Sequence, residues 1–281
     1  IKPDTMLFNL ILDACIRHQS SLKGQQIIEL MAEVGVVADA HTIVIIAQIY
    51  EMNCMRDELK KYKRHIDVVS ASLVSHYRQF YDSLLSLHFI FNDIDAASAL
   101  IKDMYQHGES NPAREARKES CTIPIGSPNL KIGLKLHILP ELLQKDTVIN
   151  VEGKPTLVLS KNGKLVLSSN AVTKLMREYK RCERINELST LLNYIQSKLG
   201  SSDSHNLCHD VIDACIHLGW LQTAHDILDD LESEGSSLGQ GSYVSLLTAY
   251  YNRKMFEEGV ALVKQIRKAG MLTNLYNEMP I

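Results

Sequence analysis

The chain has 281 residues, of which 45% are hydrophobic and 22% charged, values that exclude an intrinsically disordered segment. Thirty Lys and Arg against 33 Asp and Glu leave a net charge of -3; this excludes a uniformly basic nucleic-acid binder, although a local basic stripe can act alone. The six cysteines, Cys15, Cys54, Cys121, Cys182, Cys208 and Cys215, include no C-x-x-C spacing and suggest no disulfide framework, which points to a reducing compartment.

Length alone suggests about two domains, but an internal repeat overrides that count. A 35-position frame starting at Thr5 recurs at Ala40, Arg78, Ser169, His205 and Gln240. Position 4 of the frame holds Phe8, Ile43, Tyr81, Val172, Cys208 and Tyr243. Positions 7 and 8 hold Ile11-Leu12, Ile46-Ala47, Leu84-Leu85, Leu175-Met176, Val211-Ile212 and Leu246-Leu247. Position 11 holds Cys15, Tyr50, His88, Tyr179, Cys215 and Tyr250. Residues at 4, 7, 8 and 11 share one face of a helix. Position 20, small in four frames (Gly24, Ala97, Ala224, Gly259), lets a second helix approach closely. Position 27 is apolar throughout, and Gly35, Gly108, Gly235 and Gly270 follow it as helix stops. Each frame therefore predicts a helical hairpin, and one hairpin cannot bury its apolar face alone.

The frames predict hairpins over residues 5–39, 40–74 and 78–112, within a repeat region 1–112, and over 169–203, 205–239 and 240–274, within a second region 169–281. Residues 113–168 form an irregular insertion. In it, Ile123–Pro128 has two prolines and a glycine and reads as loop. The stretch Leu157–Leu167, centred on Asn162-Gly163, predicts a β-hairpin with a type I′ turn, and Ser168 or Ser169 is expected to cap the next helix. The charged composition between Glu109 and Ser168 favours a solvated insertion over a docking element.

Catalytic and metal chemistry finds no constellation. His107-Gly108-Glu109 matches H-x-E but lacks a C-x-x-C partner. Asp226, Asp229 and Asp230 read as the solvated face of a second helix, and Cys208 and Cys215 as core positions rather than zinc ligands beside His205, His209 and His217. Gly239-Gln240-Gly241 lacks the context of a phosphate loop. No catalytic residue, metal or cofactor is predicted, and no run of ~18 apolar residues predicts a membrane span.

The first frame reads Phe8-Asn9-Leu10-Ile11-Leu12-Asp13-Ala14-Cys15, then Glu29-Leu30-Met31-Ala32-Glu33-Val34-Gly35, closing on Asp39, and Lys2-Pro3-Asp4 looks like the end of a preceding repeat. This resembles the pentatricopeptide repeat in its form Y-N-x-L-I, then F-x-x-M-x-x-x-G, then P-D. Frame lengths near 35 resemble the P subclass. The resemblance implies an all-α, right-handed superhelical solenoid and a role in binding single-stranded RNA at about one base per repeat. It also implies a mitochondrial or chloroplast setting, a part in organellar RNA processing, stability or translation, and other organellar proteins as further partners. The chain starts at Ile1 and reads as a piece of a longer array, so a targeting peptide is expected outside it.

In that family positions 5 and 35 read the base edge, and an apolar residue at position 2 packs on its face. Asn9 with Asp39 resembles the uracil-reading pair, with Met6 as the apolar wedge. Thr173 with Asp203 resembles the guanine-reading pair, although Ser204 is an extra residue that leaves this partner open. An ionised Asp only accepts hydrogen bonds, so it selects a base with a ring N–H. Arg17 and Arg181, at equivalent sites on first helices, are candidates for phosphate contacts or solvated surface charges. Val44, Val244, Asp82, Pro112, His209 and Gly239 depart from the family's code. Two functions follow as expectations: an RNA binder, or a protein-interaction solenoid that has lost most base readout.

Overall fold

The computed structural model describes residues 3–66, 75–106, 121–126, 133–139, 154–199, 201–233 and 240–268. Twelve helices account for most of them: α1 Thr5–Arg17, α2 Ser21–Val34, α3 Ala40–Met52, α4 Arg56–Ile66, α5 Arg78–Ile90, α6 Ile94–Gln106, α7 Ser169–Arg181, α8 Ile185–Lys198, α9 Ser201–Leu218, α10 Leu221–Ser233, α11 Gln240–Asn252 and α12 Phe256–Lys268. The chain is an all-α repeat solenoid. It forms two compact units, Ile1–Ala171 and Val172–Ile281.

Every hairpin turns by the same joint. Frame position 15 is left-handed in all six: Gln19 (φ 52°), Cys54 (54°), Asn92 (54°), Glu183 (58°), Gly219 (78°) and Lys254 (58°). The next residue donates its N–H to the carbonyl of position 11, as Ser20 to Cys15 at 2.8 Å, Met55 to Tyr50 at 2.8 Å and Trp220 to Cys215 at 2.8 Å. The left-handed residue donates to position 12, as Gln19 to Ile16 at 3.0 Å and Gly219 to Ile216 at 3.0 Å. These paired bonds satisfy the carbonyls orphaned at a helix end and make a Schellman motif. Position 20 then donates to position 16, as Gly24 to Ser20 and Ala224 to Trp220, both at 3.0 Å, and opens the second helix.

The helix face at positions 4, 7, 8 and 11 carries the core. Leu12, Ile43, Ile46, Leu85, Val172, Leu175, Ile212 and Leu246 are all fully or almost fully buried. At position 20, a Cβ on Gly24 would lie 2.8 Å from Ile49 Cδ1, so α2 and α3 approach at the distance a missing side chain allows. Gly35 ends α2 with φ 74°; Gly108, Gly235 and Gly270 lie outside the described residues. Five first helices begin on the frame residues Thr5, Ala40, Arg78, Ser169 and Gln240. Helix α9 begins at Ser201, so His205 and Asp203 lie inside it.

The insertion differs from its sequence expectation. Ile123 and Pro124, expected as the start of a loop over Ile123–Pro128, instead close strand β1, Cys121–Pro124, which pairs antiparallel with β2, Lys135–Ile138. Proline is tolerated there because it closes the strand's end. Strands β3, Val158–Lys161, and β4, Lys164–Leu167, form the hairpin that Asn162-Gly163 predicts, with φ 51° and 76° at the turn. Neither hairpin is a solvated ornament. Ile123, Leu136, Ile138, Leu157, Val158 and Leu165 are buried. Strand β2 packs on α2, β1 on α4, β3 on α5 and β4 on α6. Composition favours solvation because it counts charges; the alternation along β2 and the apolar run Leu165–Leu167 of β4 supply a core face instead. Ser168 Oγ accepts the Ala171 N–H at 3.2 Å and caps α7.

Candidate nucleic-acid interface

Asp39 immediately precedes α3 and caps it. Its Oδ1 accepts the Thr42 N–H at 2.7 Å, while Thr42 Oγ1 accepts the Asp39 N–H at 3.1 Å, closing a capping box. Asn9 Nδ2 donates to the same Oδ1 at 3.3 Å. The Thr42 hydroxyl proton faces two acceptors, Asn9 Oδ1 and Asp39 Oδ1, each at 2.8 Å. The structure thus brings Asn9 and Asp39 together, both buried, in one network across α1 and α3. Met6, one turn before Asn9, is 56% exposed. Burial pushes the Tyr77 phenol up from its usual value, and the Asp39 charge adds to that shift, so this neighbour stays a neutral hydroxyl.

The second unit repeats part of this arrangement. His209, at position 5 of its frame, has Nδ1 2.8 Å from Ser242 Oγ on α11. Asn9 reaches Thr42 across the same separation of 33 residues. In both units a position-5 side chain on one first helix is tied to a position-3 hydroxyl on the next. Thr173 is half-buried on α7, and Asp203 lies in the first turn of α9 rather than before a helix, unlike Asp39. The structure therefore brings Asn9 and Asp39 into contact and places Asp203 inside a helix, because α9 starts four residues before its frame. Arg17 is bound to Asp13 at 2.6 Å and Arg181 to Glu178 at 2.6 Å, each within its own helix, with both guanidinium groups largely in solvent.

Two residues sequence reasoning missed, Lys154 and Arg78, meet Asp82 and its partners in the first unit. Asp82, at position 5 of the third frame, accepts the N–H groups of Leu157 at 2.6 Å and Val158 at 2.9 Å on Oδ1. Lys154 Nζ lies 3.0 Å from Asp82 Oδ2 and 2.6 Å from Glu51. Arg78 Nη1 donates to the Val158 carbonyl at 3.0 Å. A cavity of about 440 Å³ on the same face is lined by Gln48, Glu51, Arg78, Asp82, Ser83 and Lys154, among others. One signal in the sequence marked this face: α3 reads Ile43-Val44-Ile45-Ile46-Ala47, apolar all round, and a helix apolar all round is buried all round.

Among the described residues no group of three or more His, Cys, Asp or Glu is placed to hold a metal ion. Cys215 is buried, and burial pushes its thiol up to about 11. His217 Nδ1 is 3.0 Å from the Asp213 carbonyl of its own helix, and His209 Nε2 is 3.4 Å from the Asp213 carboxylate. Gln222 donates to Asp226, and Gln265 to Asp229. No helix among the described residues is long and apolar enough to cross a membrane.

A family model described as PPR repeat matches residues 241–271. A pentatricopeptide repeat-containing protein of Arabidopsis thaliana is 46% identical over 285 residues, covering 100% of this chain and 41% of the relative. The chain belongs to the pentatricopeptide-repeat family. A second Arabidopsis thaliana pentatricopeptide repeat-containing protein, named as mitochondrial, is 30% identical and is matched over 92% of this chain and 37% of its own length. The chain thus spans well under half of the relatives it matches. The crystal structure of the pentatricopeptide repeat protein PPR10 from maize shares the fold, with a TM-score of 0.52 at 14% identity over 96% of this chain and 30% of that one.

Proposed function

We propose that the chain binds single-stranded RNA along the faces of its first helices, as part of a longer organellar repeat protein acting in RNA processing, stability or translation. The observation that carries this reading is the Asn9–Asp39–Thr42 network. Three bonds converge on Asp39 Oδ1 and fix the carboxylate's direction before any ligand arrives. The reading assigns the other oxygen, Oδ2, to a base ring N–H, with exposed Met6 against the base face. Thr173 with Asp203 is the second candidate pair, and Arg17 and Arg181 swing from their helix carboxylates to phosphates. Membership in the family supports RNA as the partner, and the mitochondrial relatives support a mitochondrion over a chloroplast as the site of action.

The test is RNA affinity across a salt series, because phosphate contacts release counterions and make affinity fall with salt. RNAs differing at one nucleotide should show uracil preferred over cytosine at one position, by ~1–3 kcal/mol if the contact matches other base-edge readouts. Asp39→Ser should relax that choice, and Arg17→Ala should weaken all sequences alike and flatten the salt dependence. Equal affinity for all four bases, unmoved by Asp39→Ser, would leave the protein-interaction scaffold as the better reading.

A further inference from the structure

We propose that the segment Lys154–Val158 occupies, in cis, the place at which the third repeat would read a base, so that RNA held by this chain does not reach Asp82. This rests on the RNA-binding reading above, since it uses position 5 of the repeat as the reading position. Asp82 sits on α5 where Asn9 sits on α1 and His209 on α9. It departs from the side chains expected of a reader, and its contacts explain why. One carboxylate oxygen takes two consecutive main-chain N–H groups, from Leu157 and Val158, and the other faces the Lys154 ammonium. The same segment returns a carbonyl, that of Val158, to Arg78 at position 1 of the same frame. Two donors and an acceptor on an extended backbone are the chemistry of a nucleobase edge. Here the chain's own backbone supplies them.

The occupant is anchored on both flanks. Lys154 bridges from Asp82 to Glu51 on α3. Leu157 and Val158 are fully buried, the Ser168 N–H is held by the Leu157 carbonyl at 2.9 Å, and the Ser168 hydroxyl donates to the Thr156 carbonyl at 2.6 Å. Asp82 is as buried as Asn9, but Asn9 is covered by its partners in the next repeat and Asp82 by the backbone of the insertion. An RNA base would have to displace two charge-assisted hydrogen bonds and an ion pair within a packed strand.

Amide exchange on the whole chain, free and with a saturating pool of random-sequence single-stranded RNA, tests this. Leu157 and Val158 should exchange slowly in both states. Asp82→Ala should speed both by ~10-fold or more, the size expected for losing bonds to a charged acceptor. Lys154→Met, which keeps the carboxylate, should speed them less; this variant and the wild type decide the matter if Asp82→Ala does not fold, as judged by helix content. Fast exchange at both amides in the free wild type overturns the proposal, as does their release when RNA is added. Protection of α1, α7 or α11 by RNA tests the RNA-binding reading separately. If wild type shows none, that reading falls; RNA binding gained by Asp82→Ala would then still support the occupant as a barrier, and its absence would overturn the barrier too.

Discussion

The two units use one repeat in two ways. In the first, Val44, Ile45 and Gln48 on α3 and Asp82, Ser83 and Ser86 on α5 are all buried, and Asp82 is bonded to the backbone of the insertion. In the second, the residues at frame positions 5 and 6, Thr173, Lys174, His209, Asp210, Val244 and Ser245, are only half-buried. The hairpin joint and the core face are the same in both. What differs is whether a first helix faces its own chain, as α3 and α5 do, or leaves apolar residues in solvent, as α1 does with Met6 and Leu10. A conserved architecture therefore says where a reading face lies, and the side chains and their neighbours say whether it is open.

The largest test of that contrast is to weaken the insertion's packing. Leu136→Ala and Leu157→Ala, at sites almost wholly buried, should each cost ~2–5 kcal/mol in denaturant unfolding. Leu159→Ala, 36% exposed on the same hairpin, should stay within ~0.5 kcal/mol. Equal and small effects at all three would return the insertion to the solvated segment its composition suggested.

Acid should separate the units next. His88 fills position 11 on α5, is 3% exposed, and its Nδ1 has no hydrogen-bond partner among the described residues. Burial, and then the nearby Lys60 charge, lower its pKa from 6.5 to about 4; Arg56 lowers it further, and Asp93 and Asp57 oppose. The unfolded chain therefore takes the proton first as pH falls. Stability is whole above 6.5 and is lost between 6.5 and about 4. The loss is at most ~3 kcal/mol, from 1.36 kcal/mol for each pH unit. In the second unit the same position holds Tyr179, Cys215 and Tyr250; burial pushes Cys215 up to about 11 and Tyr250 up to about 12, so neither gains a charge across that range. His88→Phe should remove the acid response of the first unit; an unchanged profile would assign it to carboxylates elsewhere.

Asp39 tests the double use of one residue as cap and reader. Asp39→Ala removes the acceptor for the Thr42 N–H and for Asn9, and should cost ~1–2 kcal/mol by thermal unfolding, the range for a lost N-cap. Asp39→Asn retains an acceptor for the cap and should cost less. If both variants cost nothing, the network does not hold the α1–α3 junction, and its preset geometry is lost as support for base reading.

The fold was legible because helix faces and an Asn-Gly turn are local signals. Positions 4, 7, 8 and 11 put Leu12, Ile46 and Leu246 on core faces whatever lies beyond. The Asn9–Asp39 pair was legible through its likeness to a known repeat. The docking of the insertion was not, because Asp82, Lys154 and Glu51 meet across 72 and 103 residues of sequence, and no periodicity reports such a contact. The apolar run in α3 pointed to a cover on its outer face without saying which segment supplies it. Asp203 was placed one way by the frame and another by the early start of α9, since helix ends depend on capping partners that a frame does not contain.

The hairpin joint was illegible for a different reason, and it gives the smallest effect. Position 15 is left-handed in all six hairpins, yet it holds Gln, Cys, Asn, Glu, Gly and Lys in turn. Only Gly219 and Asn92 are types that favour that conformation. The paired backbone bonds from positions 15 and 16 impose it on the rest. A left-handed non-glycine residue costs ~1–2 kcal/mol, and glycine costs ~0.5–1 kcal/mol in unfolded-chain entropy. Gln19→Gly in the first unit and Glu183→Gly in the second, both exposed, should therefore raise stability by a few tenths to ~1 kcal/mol. Gly219→Ala should lower it by a similar amount. Its new Cβ would lie 2.7 Å from Arg253 Nη2, the far end of a flexible side chain that can swing aside, so the backbone cost sets the size. Melting temperatures that rise for the first two and fall for the third would show one joint serving both units. A rise in one unit alone would mean that the units share the joint's geometry without sharing its energetics.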